Sequence, residues 1–96
     1  MSDYELKDLG DGRFELSGEM SFGTVDRILR DSDAAFRDHE RLHVDFSGVD
    51  KADSAGLALL LEWKAQARQR ARRIDYAAVP ASVLAIAETT EVQHLL

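Results

Sequence analysis

Between residues 42 and 46 apolar and polar side chains alternate, Leu42, Val44 and Phe46 on one side and His43 and Asp45 on the other. That is the period of a β-strand. Ser47-Gly48 then reads as a turn and Val49-Asp50-Lys51-Ala52-Asp53 as an acidic loop. From Ser54 to about Arg70 the pattern becomes that of a helix rich in Ala and Leu that ends in arginines. A strand that feeds a helix through a short polar loop exposes the helix's first N–H groups, and Ser54 stands where a capping side chain is expected.

The rest of the chain arranges itself around this unit. Residues 4–9 and 13–17, joined by Gly10-Asp11-Gly12, predict a β-hairpin, with Phe14 and Leu16 sharing a face and residues 17–22 as an exit loop. A first helix is expected from Gly23 or Thr24 to Phe36, because Val25, Ile28, Leu29, Ser32 and Phe36 recur at helical spacing. Ser32-Asp33 is a point where it would break. Residues 74–79 predict a last strand. Pro80-Ala81-Ser82 opens a third helix, where a missing N–H is harmless. Val92, Leu95 and Leu96 form an apolar tail expected to fold back.

The resulting order, β-β-α-β-α-β-α, predicts an α/β fold of one domain over residues 1–96. Its two later β-α-β passes are expected to be parallel and its N-terminal hairpin antiparallel, giving a mixed sheet flanked by helices. In the second helix Leu57, Leu60 and Leu61 are placed to face the sheet. Leu59 and Trp63, with Ala55 above them, fall on a different face. That pair is either a partner surface or is covered by the first helix or the C-terminal tail. Arg68, Arg70, Arg72 and Arg73 complement the helix C-terminus, a basic docking patch being the other reading.

Composition narrows the function. With 45% hydrophobic and 31% charged residues the chain suits a soluble globular protein, and it has no cysteine for disulfides or thiolate chemistry. The net charge of −6 argues against nucleic acid. The acidic start, Met1-Ser2-Asp3-Tyr4-Glu5, has no hydrophobic signal region, and no apolar run approaches the roughly 20 residues of a membrane span. The expected location is cytoplasmic, with any membrane association through a partner.

Catalytic motifs are missing. His39, His43 and His94 are scattered, and no HExxH, phosphate-binding glycine loop, dinucleotide fingerprint or GxSxG elbow occurs. Asp45, Asp50 and Asp53 cluster in sequence as a cation site would, but carboxylates around a turn and a helix start are ordinary loop and capping chemistry. No histidine is placed by the sequence to activate Ser54. The expectation is a binding module, without catalytic residues, metal or cofactor. Ser54 itself has two readings: a helix cap, or a regulatory phosphorylation site at a helix N-terminus, opposed by the nearby Asp50 and Asp53.

The run from Val44 to Leu57, Val-Asp-Phe-Ser-Gly-Val-Asp-Lys-Ala-Asp-Ser-Ala-Gly-Leu, resembles the signature of STAS domains, the fold of anti-sigma factor antagonists. The element order, the Ser17-Gly18-Glu19 after the second strand and the Val79-Pro80 before the last helix also correspond. Gly56-Leu57-Ala58-Leu59-Leu60-Leu61 and Glu62-Trp63 most resemble the MlaB-type branch, cytoplasmic STAS subunits of a bacterial ABC transporter. The resemblance implies binding to the transporter's ATPase subunit and support of phospholipid transport that maintains outer-membrane lipid asymmetry. It places Ser54 at the contact; the reading of the residues adds Asp53, Ala55 and Gly56 around the corner and Leu59 and Trp63 as expected apolar contacts. The alternative it implies is an anti-sigma factor antagonist whose binding to a kinase-like anti-sigma factor is switched by phosphorylation of Ser54.

Overall fold

The computed structural model describes residues 3–96; Met1 and Ser2 of the acidic N-terminus lie outside them. Strands β1 (Tyr4–Gly10) and β2 (Arg13–Met20) form the expected hairpin. Its two-residue loop, Asp11-Gly12, has φ of 57° and 79°, the left-handed conformation that a tight turn between twisted strands requires. Helix α1 (Val25–Phe36), strand β3 (Arg41–Ala52), helix α2 (Ser54–Gln69), strand β4 (Arg73–Ala77) and helix α3 (Ala81–Thr89) follow, and a 3-10 turn spans Gln93–Leu95. The sheet order is β1-β2-β3-β4, with β1 antiparallel to β2 and the other two pairs parallel. The mixed α/β architecture expected from the sequence is the one observed.

Alternation explains why the sheet has one covered face. Phe14, Leu16, Leu42, Val44, Phe46 and Ile74 are buried, while their neighbours Arg13, His43 and Asp75 are exposed. The edge strands carry charge: Glu5, Lys7 and Asp8 on β1, Arg73 and Asp75 on β4. Two polar contacts fix α2 over β4. The Tyr76 hydroxyl donates to the Leu60 carbonyl at 2.6 Å, and Lys64 Nζ donates to the Ile74 carbonyl at 2.5 Å while lying 4.9 Å from the Tyr76 ring centre.

Several boundaries differ from the sequence expectation. Strand β2 runs on to Met20 instead of ending at Ser17, and β3 continues through the predicted turn and acidic loop to Ala52. The pairing of β2 with β3 shifts register twice, so β3 holds one extra residue between Asp45 and Gly48 and another between Val49 and Lys51. These are bulges, which use the same Ser, Gly and Asp residues as turns. At the first, the Asp45 carboxylate accepts the Ser47 N–H at 2.7 Å. Gly48 passes so close to β2 that a Cβ there would lie 2.8 Å from that of Ser17. Helix α1 is not broken at Ser32-Asp33. In the tail Val92 and Leu96 pack against the core, whereas Leu95 is 40% exposed.

The continuity of α1 matters because of what Ser32 does. Its hydroxyl donates to the Leu29 carbonyl at 2.8 Å and accepts the Trp63 indole N–H at 2.9 Å, wholly inside the protein. Trp63 lies 5.2 Å from Phe36 and 6.4 Å from both Phe46 and Tyr76, ring centre to ring centre. It is 1% exposed and Leu59 is 4% exposed. The surface Leu-Trp pair considered from the sequence is therefore absent: α1 covers it, and Trp63 belongs to the core.

Replacing Trp63 by Ala should cost about 3–5 kcal/mol, a large part of the ~5–15 kcal/mol that holds a small domain folded, and urea unfolding measures it. The Ser47 N–H bond holds the Asp45 carboxyl below its ordinary value. A carboxyl depressed in the folded state adds stability above its unfolded value of ~3.9 and loses it as pH falls through the folded one. Asp45→Asn should thus narrow the stability gap between pH 7 and pH 3, read from urea midpoints at both.

Candidate partner-binding site

The corner between β3 and α2 is built by Asp53. It precedes the helix with extended φ and ψ of −137° and −166°, and its Oδ1 accepts the Ala55 N–H at 2.9 Å. Its carbonyl accepts the Gly56 N–H at 3.0 Å. The cap is therefore Asp53, and Ser54, expected from the sequence to cap, is the first helical residue. Both types cap well; the carboxylate takes the position because a second donor reaches it. Asp53 Oδ2 accepts the Phe22 N–H at 3.2 Å, so one side chain ties the start of α2 to the loop between β2 and α1.

That loop is itself locked. Thr24 Oγ1 donates to the Glu19 carbonyl at 2.9 Å and accepts the Ser21 N–H at 3.0 Å. Ser21 Oγ donates to Glu19 Oε2 at 2.5 Å, and Lys51 pairs with Glu19 Oε1 at 3.5 Å. Gly56 brings α2 down onto the end of β2: a Cβ there would meet Met20 at 3.0 Å from Cε and 3.1 Å from the carbonyl oxygen. Ser54 stands on this fixed platform, exposed, its hydroxyl without a hydrogen-bond partner among the described residues.

Asp53, Ser54, Ala55 and Gly56 are thus brought together, with Ala55 half-buried and Gly56 buried. Leu59 contributes only to the floor of a groove between α1 and α2, and Trp63 lies beneath it. The groove is lined by Phe22, Val25 and Leu29 on one side and Ser54, Ala55, Ala58 and Leu59 on the other, with Asp26 and Glu62 at its rim. Phe22, 85% exposed at its mouth, is the most exposed of the large apolar side chains among the described residues. Sequence reasoning left Phe22 in an exit loop and passed over Ala58. The available signal was an aromatic residue between Ser21 and Gly23, where a solvated loop has no need of one.

The other candidates remain apart. His39 packs edge-on to Phe14 at 6.0 Å, His43 is on the open face of the sheet and His94 in the terminal turn. Among the described residues no three His, Asp or Glu side chains converge as a metal site would need. Asp45 and Asp53 are each engaged with backbone N–H groups instead. No helix among them is long and apolar enough to cross a membrane.

The four-stranded mixed sheet flanked by helices, in the order β-β-α-β-α-β-α, is the architecture of a STAS domain. The family model described as "Mlab, STAS domain" matches residues 7–96, and the chain belongs to that family. No curated protein matches the chain. Among solved structures it is similar to the anti-sigma factor antagonist SpoIIAA in its unphosphorylated form, with 18% identity over 96% of this chain and 84% of that one and a TM-score of 0.71. The Bacillus cell fate determinant SpoIIAA in its phosphorylated form is similar at 17% identity, over 96% and 86% of the two chains, with a TM-score of 0.69. Mglu shares 19% identity over 80% of this chain and 19% of its own, with a TM-score of 0.59. At such identities the likeness shows the fold.

Asp53→Ala should cost about 1 kcal/mol, as loss of a helix cap does. It should also speed hydrogen exchange at the Phe22 and Ala55 amides together, because one carboxylate serves both. Exchange measured by NMR checks this. Faster exchange at Ala55 alone would show that Asp53 does not hold the loop.

Proposed function

We propose that the chain is a non-enzymatic STAS subunit that binds the ATPase of a bacterial ABC phospholipid transporter maintaining outer-membrane lipid asymmetry. The match to the MlaB-type family model, not merely to STAS domains at large, carries this reading. The corner of Asp53, Ser54, Ala55 and Gly56 is the contact, extended by Phe22 and the groove behind it. Leu59 supports the contact from below, and Trp63 supports it only through the core. In this reading the protein is one cytoplasmic domain, peripheral to the inner membrane through its partner. A subunit that binds one ATPase state more tightly than another biases the ATPase cycle by that difference in affinity.

A second reading has its own support: the fold likeness extends to an anti-sigma factor antagonist solved in both unphosphorylated and phosphorylated forms, and Ser54 is exposed for modification. In it, phosphorylation of Ser54 turns off binding to a kinase-like anti-sigma factor. A phosphate there would add about two negative charges beside Asp53 and near Asp26 and Glu62.

Purified protein and the ABC ATPase subunit of the same cell should form a complex that survives gel filtration. Ser54→Arg should weaken it at least tenfold by calorimetry while leaving the unfolding free energy from urea titration within about 0.5 kcal/mol of wild type, as surface substitutions do. Absence of the complex, together with phosphate on Ser54 in protein recovered from cells, would favour the signalling switch.

A further inference from the structure

The groove between α1 and α2 has a chemical character of its own. Its walls are apolar, from Val25 and Leu29 on α1 and Ala55, Ala58 and Leu59 on α2, with Phe22 at the mouth. Small side chains at positions 54, 55 and 58 are what keep it open. Further along, the helices are joined by the Trp63–Ser32 bond and by the Arg70–Asp33 pair at 3.4 Å. The ionisable groups that line it are Asp26 and Glu62, and no lining residue is basic. Of the carboxylates nearby, Glu19 has Lys51, Asp33 has Arg70 and Arg37, and Asp3 has Arg27, while Asp53 is engaged by the Phe22 and Ala55 N–H groups. Asp26 and Glu62 have none among the described residues; Glu62 has only the neutral amide of Gln66 at 3.4 Å.

An apolar slot with two unmatched negative charges on its rim selects its occupant by charge. We infer that this groove receives a cationic amphipathic segment of a protein partner, an apolar side chain entering over Leu29 and Ala58 and flanking Lys or Arg side chains meeting Asp26 and Glu62. The inference rests on the reading of the Ser54 corner as the partner-binding face, and it names the partner's chemistry. From Ser54 to Glu62 the α2 wall rises about 12 Å, enough for a short segment of roughly two helical turns. Ser54 sits at its entrance, so added negative charge at that residue would act on the same cationic segment.

The test uses two short synthetic amphipathic peptides with the same apolar residues, one flanked by Lys and one by Glu, titrated into isotope-labelled protein. The Lys peptide should shift the amide signals of Phe22, Asp26, Ala58 and Glu62, more weakly as salt is raised, and the Glu peptide should not. The Asp26→Asn/Glu62→Gln protein should bind the Lys peptide about 2–30-fold more weakly, the range two surface ion pairs span. Equal response to both peptides, shifts elsewhere, no shifts, or no loss in the double variant would overturn the inference. The ATPase separates the two claims. If wild type binds it, Ser54→Arg does not, and the double variant binds undiminished, the groove inference fails and the corner reading stands. If wild type fails to bind the ATPase yet takes the Lys peptide in the groove, the reverse holds.

Discussion

A single buried hydrogen bond, from the Trp63 indole to the Ser32 hydroxyl, organises the helical layer. Burying an indole N–H without an acceptor costs about 1–3 kcal/mol, so α1 has to lie where its third turn meets α2. The ring that carries this donor also contacts Phe36 of α1, Phe46 of β3 and Tyr76 of β4. One side chain thereby couples α1 and α2 to the parallel pair β3 and β4. Phe14 extends the cluster to β2 through its 5.0 Å contact with Phe36.

With α2 fixed from below, its first turn becomes a rigid display. Met20 beneath Gly56 and the two-way acceptance by Asp53 leave Ser54 one position to occupy. The same carboxylate draws Phe22 to the edge of the groove, so the exposed ring and the exposed hydroxyl are presented together. Recognition at such a place needs little reordering of the backbone, which keeps the entropic cost of binding low. The STAS corner thus depends on packing well away from it.

Much of this was legible in the sequence. Alternation in residues 42–46 and helical spacing in residues 25–36 placed the central strand and first helix, and Asp11-Gly12 placed the hairpin. The element order then fixed the parallel and antiparallel parts of the sheet. The course of β3 beyond Phe46 was not legible, because a bulge and a turn call for the same residue types, and only pairing with β2 tells them apart. Nor was the burial of Trp63, since a helix apolar on two sides does not reveal which neighbour covers each side. Ser32 on the buried stripe of α1 was the clue, a polar residue in need of a partner. At the corner the sequence put the cap at Ser54, whereas the structure gives it to the neighbouring Asp53, whose carboxylate also takes the Phe22 amide, distant in the chain.

The charged edge strands carry a consequence for life in a crowded solution. An open sheet ends in unpaired backbone groups that can template the addition of foreign strands. Here β4 is only five residues long and bears Arg73 and Asp75, and β1 bears Glu5, Lys7 and Asp8. A stranger's strand laid along either margin would have to desolvate these charges. Sheet-to-sheet pairing is therefore discouraged at both margins.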